Sequence, residues 1–186
     1  MRMVKVGQLY ARKISQKVPL IKEEAKKIFI LFLPWAIGLS IFFSNNYLLY
    51  TPTPSMEPSI KVGDIMICRK GNDNIKRYDV IMFNGSNKPM GQERMSKRVI
   101  GTPGDEIEIK EGIVYLNGNK IEEDYVKYGD TKSFSKTKIP MNKYFVMGDN
   151  RINSYDSRDF GFIDKKDIKA IHKVIIVPFY RFKVGI

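Results

Sequence analysis

The sequence predicts a mainly β protein with a single transmembrane helix at its N-terminal end. Residues 28–50 carry no charged side chain, which is typical of a segment inside a bilayer. Residues 51–186 contain many short apolar runs of strand length, and clusters of Gly, Asn and Asp separate them. Together these observations favour an antiparallel β domain, of the sandwich or barrel-like kind, attached to a membrane anchor.

The anchor is predicted to be a helix over residues 28–50. At about 1.5 Å per residue it would extend about 35 Å, enough for the ~30 Å hydrocarbon core of a bilayer. Pro34 is expected to kink it, and Tyr47 and Tyr50 fall where an interfacial aromatic belt would lie. A cleaved signal peptide is the alternative, but the run is long and no Ala-x-Ala motif follows it. A buried helix of a soluble domain would have to be apolar on every side.

The net charge of +12 is divided between two regions on either side of the anchor. Residues 1–27 contain eight Lys or Arg and two Glu, the pattern of a cytoplasmic flank under the positive-inside rule. The other half of the excess is spread over residues 51–186 and marks no single face. We therefore expect a single-pass protein of the plasma membrane, with residues 1–27 in the cytoplasm and residues 51–186 outside. Nucleic acid is not an expected partner.

Seven strands are predicted in the extracytoplasmic part, each bounded by turn residues. They cover residues 60–69, 78–83, 97–100, 106–110, 112–116, 144–147 and 171–177. A hairpin is predicted over residues 112–121, with its turn at Asn117-Gly118. Residues 124–138 are polar and are predicted to form a mobile loop.

Ser55 stands in a stretch, residues 51–58, that contains three prolines. Each proline fixes φ near about −65° and pushes the residue before it toward extended conformations. The serine is therefore predicted to lie in a stiff, extended segment just beyond the anchor, where it could act as a nucleophile. A proline-rich spacer between anchor and domain is the alternative, and composition alone favours it.

A serine hydroxyl needs a base to act as a nucleophile, and the sequence offers few. Cys68 is the only cysteine, so neither a disulfide within the chain nor a thiol-based metal site is expected, and no cofactor is predicted. His172, the only histidine, lies in an apolar, strand-like segment and is interpreted as structural. Lysine remains, provided burial lowers its pKa. Lys97 opens an apolar strand and is the candidate, although a surface position is the alternative.

A third polar cluster covers residues 148–161. Its short polar side chains can bond to the backbone and to each other. Asp156 and Arg158 could form an ion pair, and Ser154 and Ser157 could orient a neighbouring group. A solvated loop is the alternative interpretation.

Five motifs, in this order and spacing and behind an anchor, resemble the type I signal peptidases of the short Gram-positive bacterial kind. The similarity covers nearly all of the chain after residue 27. The motifs are Ser55-Met56-x-Pro58, Gly63-Asp64, Tyr78-Asp79-Val80, Lys97-Arg98-Val99-Ile100-Gly101-x-Pro103-Gly104-Asp105 and Gly148-Asp149-Asn150-Arg151-x-x-Ser154-x-Asp156-Ser157-Arg158-x-x-Gly161.

The resemblance implies a membrane-bound serine endopeptidase that cleaves N-terminal signal peptides from exported preproteins after small residues. It implies that Ser55 is the nucleophile and Lys97 the general base, and that the Thr53 hydroxyl and the Ser55 N–H bind the oxyanion. Ser154 would hydrogen-bond the lysine amine. The remaining implied residues support the site or contact the substrate: the supporting residues are Asp156, Arg158, Asp149 and Arg98, and the substrate-binding residues are Thr51, Pro52, Met56 and Ser96.

The family fold implied by the resemblance is an antiparallel β catalytic core with a small variable β insert, here residues 105–143. Two residues depart from the family pattern. Ser96 stands where an apolar residue is usual, and Pro54 removes an N–H from the rim of the site. The implied partners are preproteins with signal peptides and membrane lipids, with the secretion translocon as a further candidate.

Two other protein classes share part of this pattern. A Ser-Lys self-cleaving repressor of the SOS type has a similar peptidase domain, but residues 1–27 are too short for a helix-turn-helix domain and residues 28–50 have no place in a soluble repressor. A membrane-anchored β domain used only for binding is the non-enzymatic alternative. The proximity of Ser55 and Lys97 distinguishes it from an enzyme.

Overall fold

A computed structural model describes residues 2–85 and 94–186, with side chains from residue 22 onward. The chain forms two compact units, Met1–Asn45 and Asn46–Ile186.

The first unit is one helix, α1, Arg2–Asn45. Its part Lys22–Asn45 has a mean hydropathy of 1.9 and is long and apolar enough to cross a membrane. The predicted end of this helix at residue 50 is wrong, because residues 46–50 form a strand instead. The polar run Ser44–Asn46 interrupts the apolar pattern, and the Asn45 side-chain amide donates to the Ile41 carbonyl oxygen at 2.9 Å in the last turn of the helix.

The second unit is built mainly from short antiparallel strands, as predicted. The strands are β1 Asn46–Tyr50, β2 Ile65–Lys70, β3 Val80–Phe83, β4 Met95–Gly101, β5 Glu106–Lys110, β6 Ile113–Leu116, β7 Asn119–Lys120, β8 Phe134–Lys138, β9 Lys143–Met147, β10 Ile163–Asp164, β11 Ile168–Val177 and β12 Lys183–Val184. One short helix, α2, covers Ser157–Phe160, and 3₁₀ turns cover Pro54–Met56, Lys165–Asp167 and Phe179–Arg181.

Two sheets divide these strands. The larger has the order β1-β2-β11-β3-β4-β9-β10, with β12 on β11, and the smaller has the order β7-β6-β5-β8. Because β1 pairs with β2 along its whole length, from Asn46 opposite Arg69 to Tyr50 opposite Ile65, Tyr47 and Tyr50 belong to the sheet and not to a helical aromatic belt.

Strand β4 is buried on both faces, and this burial places the candidate base. Met95 and Val99 belong to one core cluster, and Lys97 lies between them on the same face, opposite Ile81 of β3. Ser96 and Arg98 point to the other face, opposite Met82 and Val80 of a second core cluster. A lysine flanked by core residues on its own face lies in an apolar environment, so the surface alternative for Lys97 is wrong.

The smaller sheet lies within the segment predicted as an insert, residues 105–143, and packs in a core cluster that it shares with Ile100 of β4 and with Phe145 and Met147 of β9. The predicted hairpin is confirmed: Asn117 and Gly118 have φ of 52° and 82°, as a two-residue type I′ turn requires. The predicted mobile loop over residues 124–138 is wrong at its end, because Phe134–Lys138 is strand β8 paired with β5. Phe134 fixes this strand by packing on Phe145, with ring centroids 4.9 Å apart.

Candidate active site

Ser55 lies in the 3₁₀ turn Pro54–Met56, which follows an extended Thr53 with φ −126° and ψ 149°. The prediction of a wholly extended segment is therefore corrected. Pro54 suits the first position of the turn because its N–H would be unpaired there. The side chain of Met56, which is 2% exposed, anchors the turn in the core. The Asn150 N–H donates to the Ser55 carbonyl oxygen at 3.1 Å. Ser55 is left half-buried beside a cavity.

Lys97 is 3% exposed, and its side chain shares two cavities with Ser55. One has a volume of about 540 Å³ and the other about 360 Å³. Burial lowers the pKa of Lys97 to about 8; the Asp156 carboxylate opposes this effect, and the Arg158 guanidinium adds to it. Within the described part of the chain no hydrogen bond joins the Lys97 amine to the Ser55 hydroxyl. The arrangement can nevertheless supply a neutral amine near a serine at mildly alkaline pH.

Ser154 also lines the smaller cavity with Ser55 and Lys97. Its hydroxyl donates to Asp156 Oδ2 at 2.7 Å. Among the described residues, no hydrogen bond joins the Ser154 hydroxyl to the Lys97 amine, although the family resemblance implied one. Since the Ser154 proton is held by Asp156, the Ser154 oxygen can act toward the cavity only as an acceptor. It can therefore accept an N–H from Lys97 and leave the amine lone pair free.

Asp156 is fully buried and collects several donors. Arg158 Nε and Nη2 donate to its two carboxylate oxygens at 2.8 Å each, and the Gly148 N–H donates at 3.0 Å. These bonds lower the pKa of Asp156 although burial alone would raise it. The predicted pairing of Asp156 and Arg158 is thus present. This ion pair holds a carboxylate beside Ser154 and close enough to Lys97 for its charge to act on the amine.

Arg98 and Asp149 form a second buried pair, with bonds of 2.8 and 2.7 Å. The Arg98 guanidinium also donates to the Tyr78 carbonyl oxygen and lies 4.5 Å from the centre of the Tyr125 ring. Because neighbouring residues of a strand point to opposite faces, Arg98 is turned away from Lys97. Its ion pair with Asp149 connects β4 to the polar loop of residues 148–161.

Sequence reasoning missed a group of residues that fasten this polar loop from the insert side. Arg151 pairs with Glu123 at 2.6 Å, and Arg158 pairs with Asp130 at 2.6 Å. The Arg151 N–H donates to the Tyr128 carbonyl oxygen at 2.8 Å. Opposite charges in two separate segments were the only sequence signal for this contact, and such a signal does not say which charges meet.

The larger cavity has an apolar floor and a polar edge. Core side chains form the floor, namely Met56, Ile60, Met66 and Met82. Among the predicted substrate-binding residues, Thr51, Pro52, Met56 and Ser96 all line it, and so does Thr53, which is exposed. The backbone of Thr51 already has partners within the chain. Its N–H donates to Asp64 and its carbonyl accepts from Gly63, both at 2.9 Å.

Comparison with known proteins places this site in a family. The family model described as signal peptidase, peptidase S26, matches residues 21–177. The chain belongs to the signal peptidase family. The resemblance, the mainly β fold class and the enzyme class, a serine protease of the signal peptidase I type, are thereby confirmed. Members of this class act on preproteins that carry signal peptides.

Named relatives agree with the family model. A signal peptidase I P from Bacillus subtilis subsp. natto is 34% identical over 185 residues, which is 90% of this chain and 94% of the relative. A signal peptidase I from Bacillus caldolyticus is 33% identical over 172 residues, 80% of this chain and 91% of the relative. A probable signal peptidase I-2 from Synechocystis is 33% identical over 139 residues, and this chain spans only 63% of its length. A crystal structure of a signal peptidase I from Enterococcus faecalis is 32% identical, covers 53% of this chain and 97% of that chain, and has a TM-score of 0.46.

Proposed function

We propose that this protein is a membrane-anchored signal peptidase in which Ser55 is the nucleophile and Lys97 the general base. The observation that supports this most directly is the shared cavity: a half-buried serine hydroxyl and a buried amine of pKa about 8 face the same space. A lysine can serve as a base only when its amine is neutral, and burial is what favours the neutral form.

In the first step, neutral Lys97 takes the Ser55 hydroxyl proton as Ser55 Oγ attacks the scissile carbonyl carbon. The resulting oxyanion is bound by the Ser55 N–H and the Thr53 hydroxyl. Ser55 is the second residue of its turn, where backbone N–H groups have no partner within a helix, and the exposed Thr53 makes no side-chain hydrogen bond to another described residue. The Lys97 ammonium then gives its proton to the leaving amine, and water hydrolyses the ester with Lys97 again as base.

Ser154 and Asp156 are proposed to position the amine. The Ser154 oxygen accepts one Lys97 N–H, and the Asp156 carboxylate stabilises the ammonium that forms after proton transfer. Such an orienting third group completes the nucleophile–base arrangement. Arg158 and Asp149 hold Asp156 and Arg98 in place.

The substrate is proposed to add as an extended strand beside residues 95–97. On one side these residues pair with β3, while the ladder with β9 begins only at Arg98. The other side of residues 95–97 thus lacks a strand partner among the described residues, and a peptide can bind there by strand addition. Small side chains before the cut would then enter the apolar cavity.

The uncharged part of helix α1, residues 28–45, is proposed to anchor the protein in the plasma membrane, with residues 1–27 in the cytoplasm and Asn46–Ile186 outside. Lipids would then be a second partner, and the secretion translocon a third. Cysteine labelling of intact cells with a membrane-impermeant reagent checks the orientation. Labelling of a cysteine placed before residue 22 from outside would contradict it.

The decisive experiment is cleavage of one preprotein by the full-length protein in detergent or lipid vesicles. The wild type should release the signal peptide, and Ser55→Ala should not, because it lacks the hydroxyl that attacks the scissile carbonyl carbon. Equal cleavage by both forms would contradict the assignment of Ser55.

The value of kcat/KM should rise with pH through about 8. Below that pH the Lys97 amine is protonated in the free enzyme and cannot accept the serine proton, and above it the amine is neutral. A pH–rate profile on one preprotein measures this. If kcat/KM instead rose near the ordinary histidine pKa of about 6.5, and this rise disappeared on replacing His172, the choice of Lys97 as base would be contradicted.

Thr53→Val should lower kcat by about 10²-fold, the scale of one lost oxyanion donor. The substitution keeps the β-branched shape, and Thr53 is exposed, so the melting temperature should change little. Thr53→Ser should keep most of the activity because it keeps the hydroxyl. Wild-type turnover by Thr53→Val would mean that backbone groups alone bind the oxyanion.

A further inference from the structure

His172 is buried, at 3% exposed, yet it has a polar partner at each ring nitrogen. Its Nε2 lies 3.0 Å from Ser96 Oγ, and its Nδ1 lies 3.3 Å from Met66 Sδ. Ser96 and Met66 both line the larger cavity that Ser55 and Lys97 share. The imidazole therefore sits directly behind the wall of that cavity, touching it at two points.

The two contacts favour the tautomer that carries the proton on Nδ1, because only that tautomer makes a hydrogen bond at both ring nitrogens. A thioether sulfur has no hydrogen and can only accept, so the Nδ1–Met66 contact is a hydrogen bond only if Nδ1 is the donor. In a neutral imidazole the other nitrogen is then an acceptor. Burial and the nearby Arg98 charge lower the pKa of His172 to about 4, so the ring is neutral at the mildly alkaline pH at which the Lys97 amine becomes neutral. Nε2 consequently accepts the Ser96 hydroxyl proton.

Once its proton is held by His172, the Ser96 hydroxyl can offer the cavity only its oxygen lone pairs. The floor around it is apolar, formed by Met56, Ile60 and Met82 together with Met66. An apolar floor accepts alanine and serine side chains of a substrate about equally, but an oriented acceptor distinguishes the two because only serine has an O–H to donate.

We propose that Ser96, oriented by the buried imidazole of His172, is a specificity-determining residue that accepts a hydrogen bond from a hydroxyl-bearing side chain of the substrate. This inference rests on the proposed function, since it concerns the side chains that enter the cavity before the cut. His172 acts through Ser96 as a positioning residue. The family resemblance leads one to expect an apolar residue at position 96. Compared with the same cavity without the Ser96 hydroxyl, this cavity therefore favours a serine over an alanine in the substrate.

The test uses preproteins that differ only by Ala or Ser at the first or the third position before the cut. For each enzyme form the ratio of kcat/KM for the Ser substrate to that for the Ala substrate is measured. Ser96→Ala should lower this ratio by about two- to tenfold at one of the two positions, the range of one net hydrogen bond. Ser96→Thr, which keeps the hydroxyl, should preserve it. Ser135→Ala, an exposed hydroxyl on β8, is the matched control and should leave both ratios unchanged.

His172→Phe should lower the same ratio as Ser96→Ala does, and the double variant should lower it no further, because both changes remove one interaction. If His172 is merely a packed core residue, its replacement changes stability or overall rate but not the ratio. An unchanged ratio in Ser96→Ala at both positions overturns the proposal. Cleavage by wild type and its loss in Ser55→Ala are read in the same assay, so failure of the specificity proposal is distinguishable from failure of the proposed function.

A spectroscopic measurement gives a second test that needs no variant. His172 is the only histidine, so the ¹⁵N spectrum of histidine-labelled protein in detergent has a single imidazole to assign. The proton is expected on Nδ1, with no titration between about pH 5 and 9. A proton on Nε2 would turn the Ser96 hydroxyl toward the cavity as a donor and would overturn the proposal.

Discussion

Lys97→Arg should abolish cleavage although it keeps a positive charge and a long side chain. A guanidinium does not lose its proton in proteins and cannot act as a base. Lys97 is flanked by Met95 and Val99 of the core, so the amine is neutral at a pH where arginine stays charged. General-base catalysis contributes about 10²–10⁴-fold, and kcat on a preprotein should fall by at least that factor.

Two further variants separate chemistry from folding. Lys97→Met keeps the length of the side chain without the amine, so it should fold, with an unchanged circular dichroism spectrum, and remain inactive. Lys138→Arg, on the exposed side of β8, is the matched control and should cleave at the wild-type rate. Retention of wild-type turnover by Lys97→Arg would exclude a Ser-Lys dyad.

Gly148→Ala should cause the second-largest loss. A Cβ at this position would lie 2.3 Å from Ser154 Oγ and 2.5 Å from the Ser55 carbonyl oxygen. The Ser55 carbonyl oxygen belongs to the backbone of the 3₁₀ turn and cannot move freely. The methyl group must therefore push Ser55 and Ser154 apart. Displacements of about 1 Å in an active site can cost about 10²-fold in rate, and overpacking costs about 1–3 kcal/mol of stability.

Gly129→Ala provides the control, because nothing lies within 4 Å of a Cβ at that exposed position. It should leave both the rate and the melting temperature unchanged. The rate of Gly148→Ala should be measured well below its own melting temperature, so that lost turnover is not confused with unfolding. Wild-type turnover in folded Gly148→Ala would show that the contact between these two segments does not position the nucleophile.

Two ion pairs with residues 121–131 stabilise the polar loop of residues 148–161. Arg151 and Arg158 each have a side chain no more than 3% exposed and are paired with Glu123 and Asp130. Removing one partner would leave a buried charge unpaired, which is costly. The insert thus contributes to the site by holding the loop that carries Ser154 and Asp156, although it supplies no residue to the cavities that Ser55 and Lys97 line.

The sequence alone determined which segments are apolar and where the chain must turn. The uncharged run after residue 27 predicted a membrane helix because charge is costly in a bilayer. Alternating apolar residues predicted the strands because side chains of a strand alternate between faces. The motifs around Ser55, Lys97 and Ser154 predicted the family, since the order and spacing of several motifs together are far more specific than any one of them.

Only the tertiary structure decided which segments pair, because pairing partners lie far apart in the chain. The sequence predicted residues 46–50 as the end of a helix and residues 134–138 as part of a loop. Both segments are strands because β2 pairs with the first and β5 with the second. The direction of Arg98, away from Lys97, follows from its register against β3. His172 read as a structural residue from its apolar neighbours. Its contact with Ser96, 76 positions away, is a long-range packing result that no local pattern encodes.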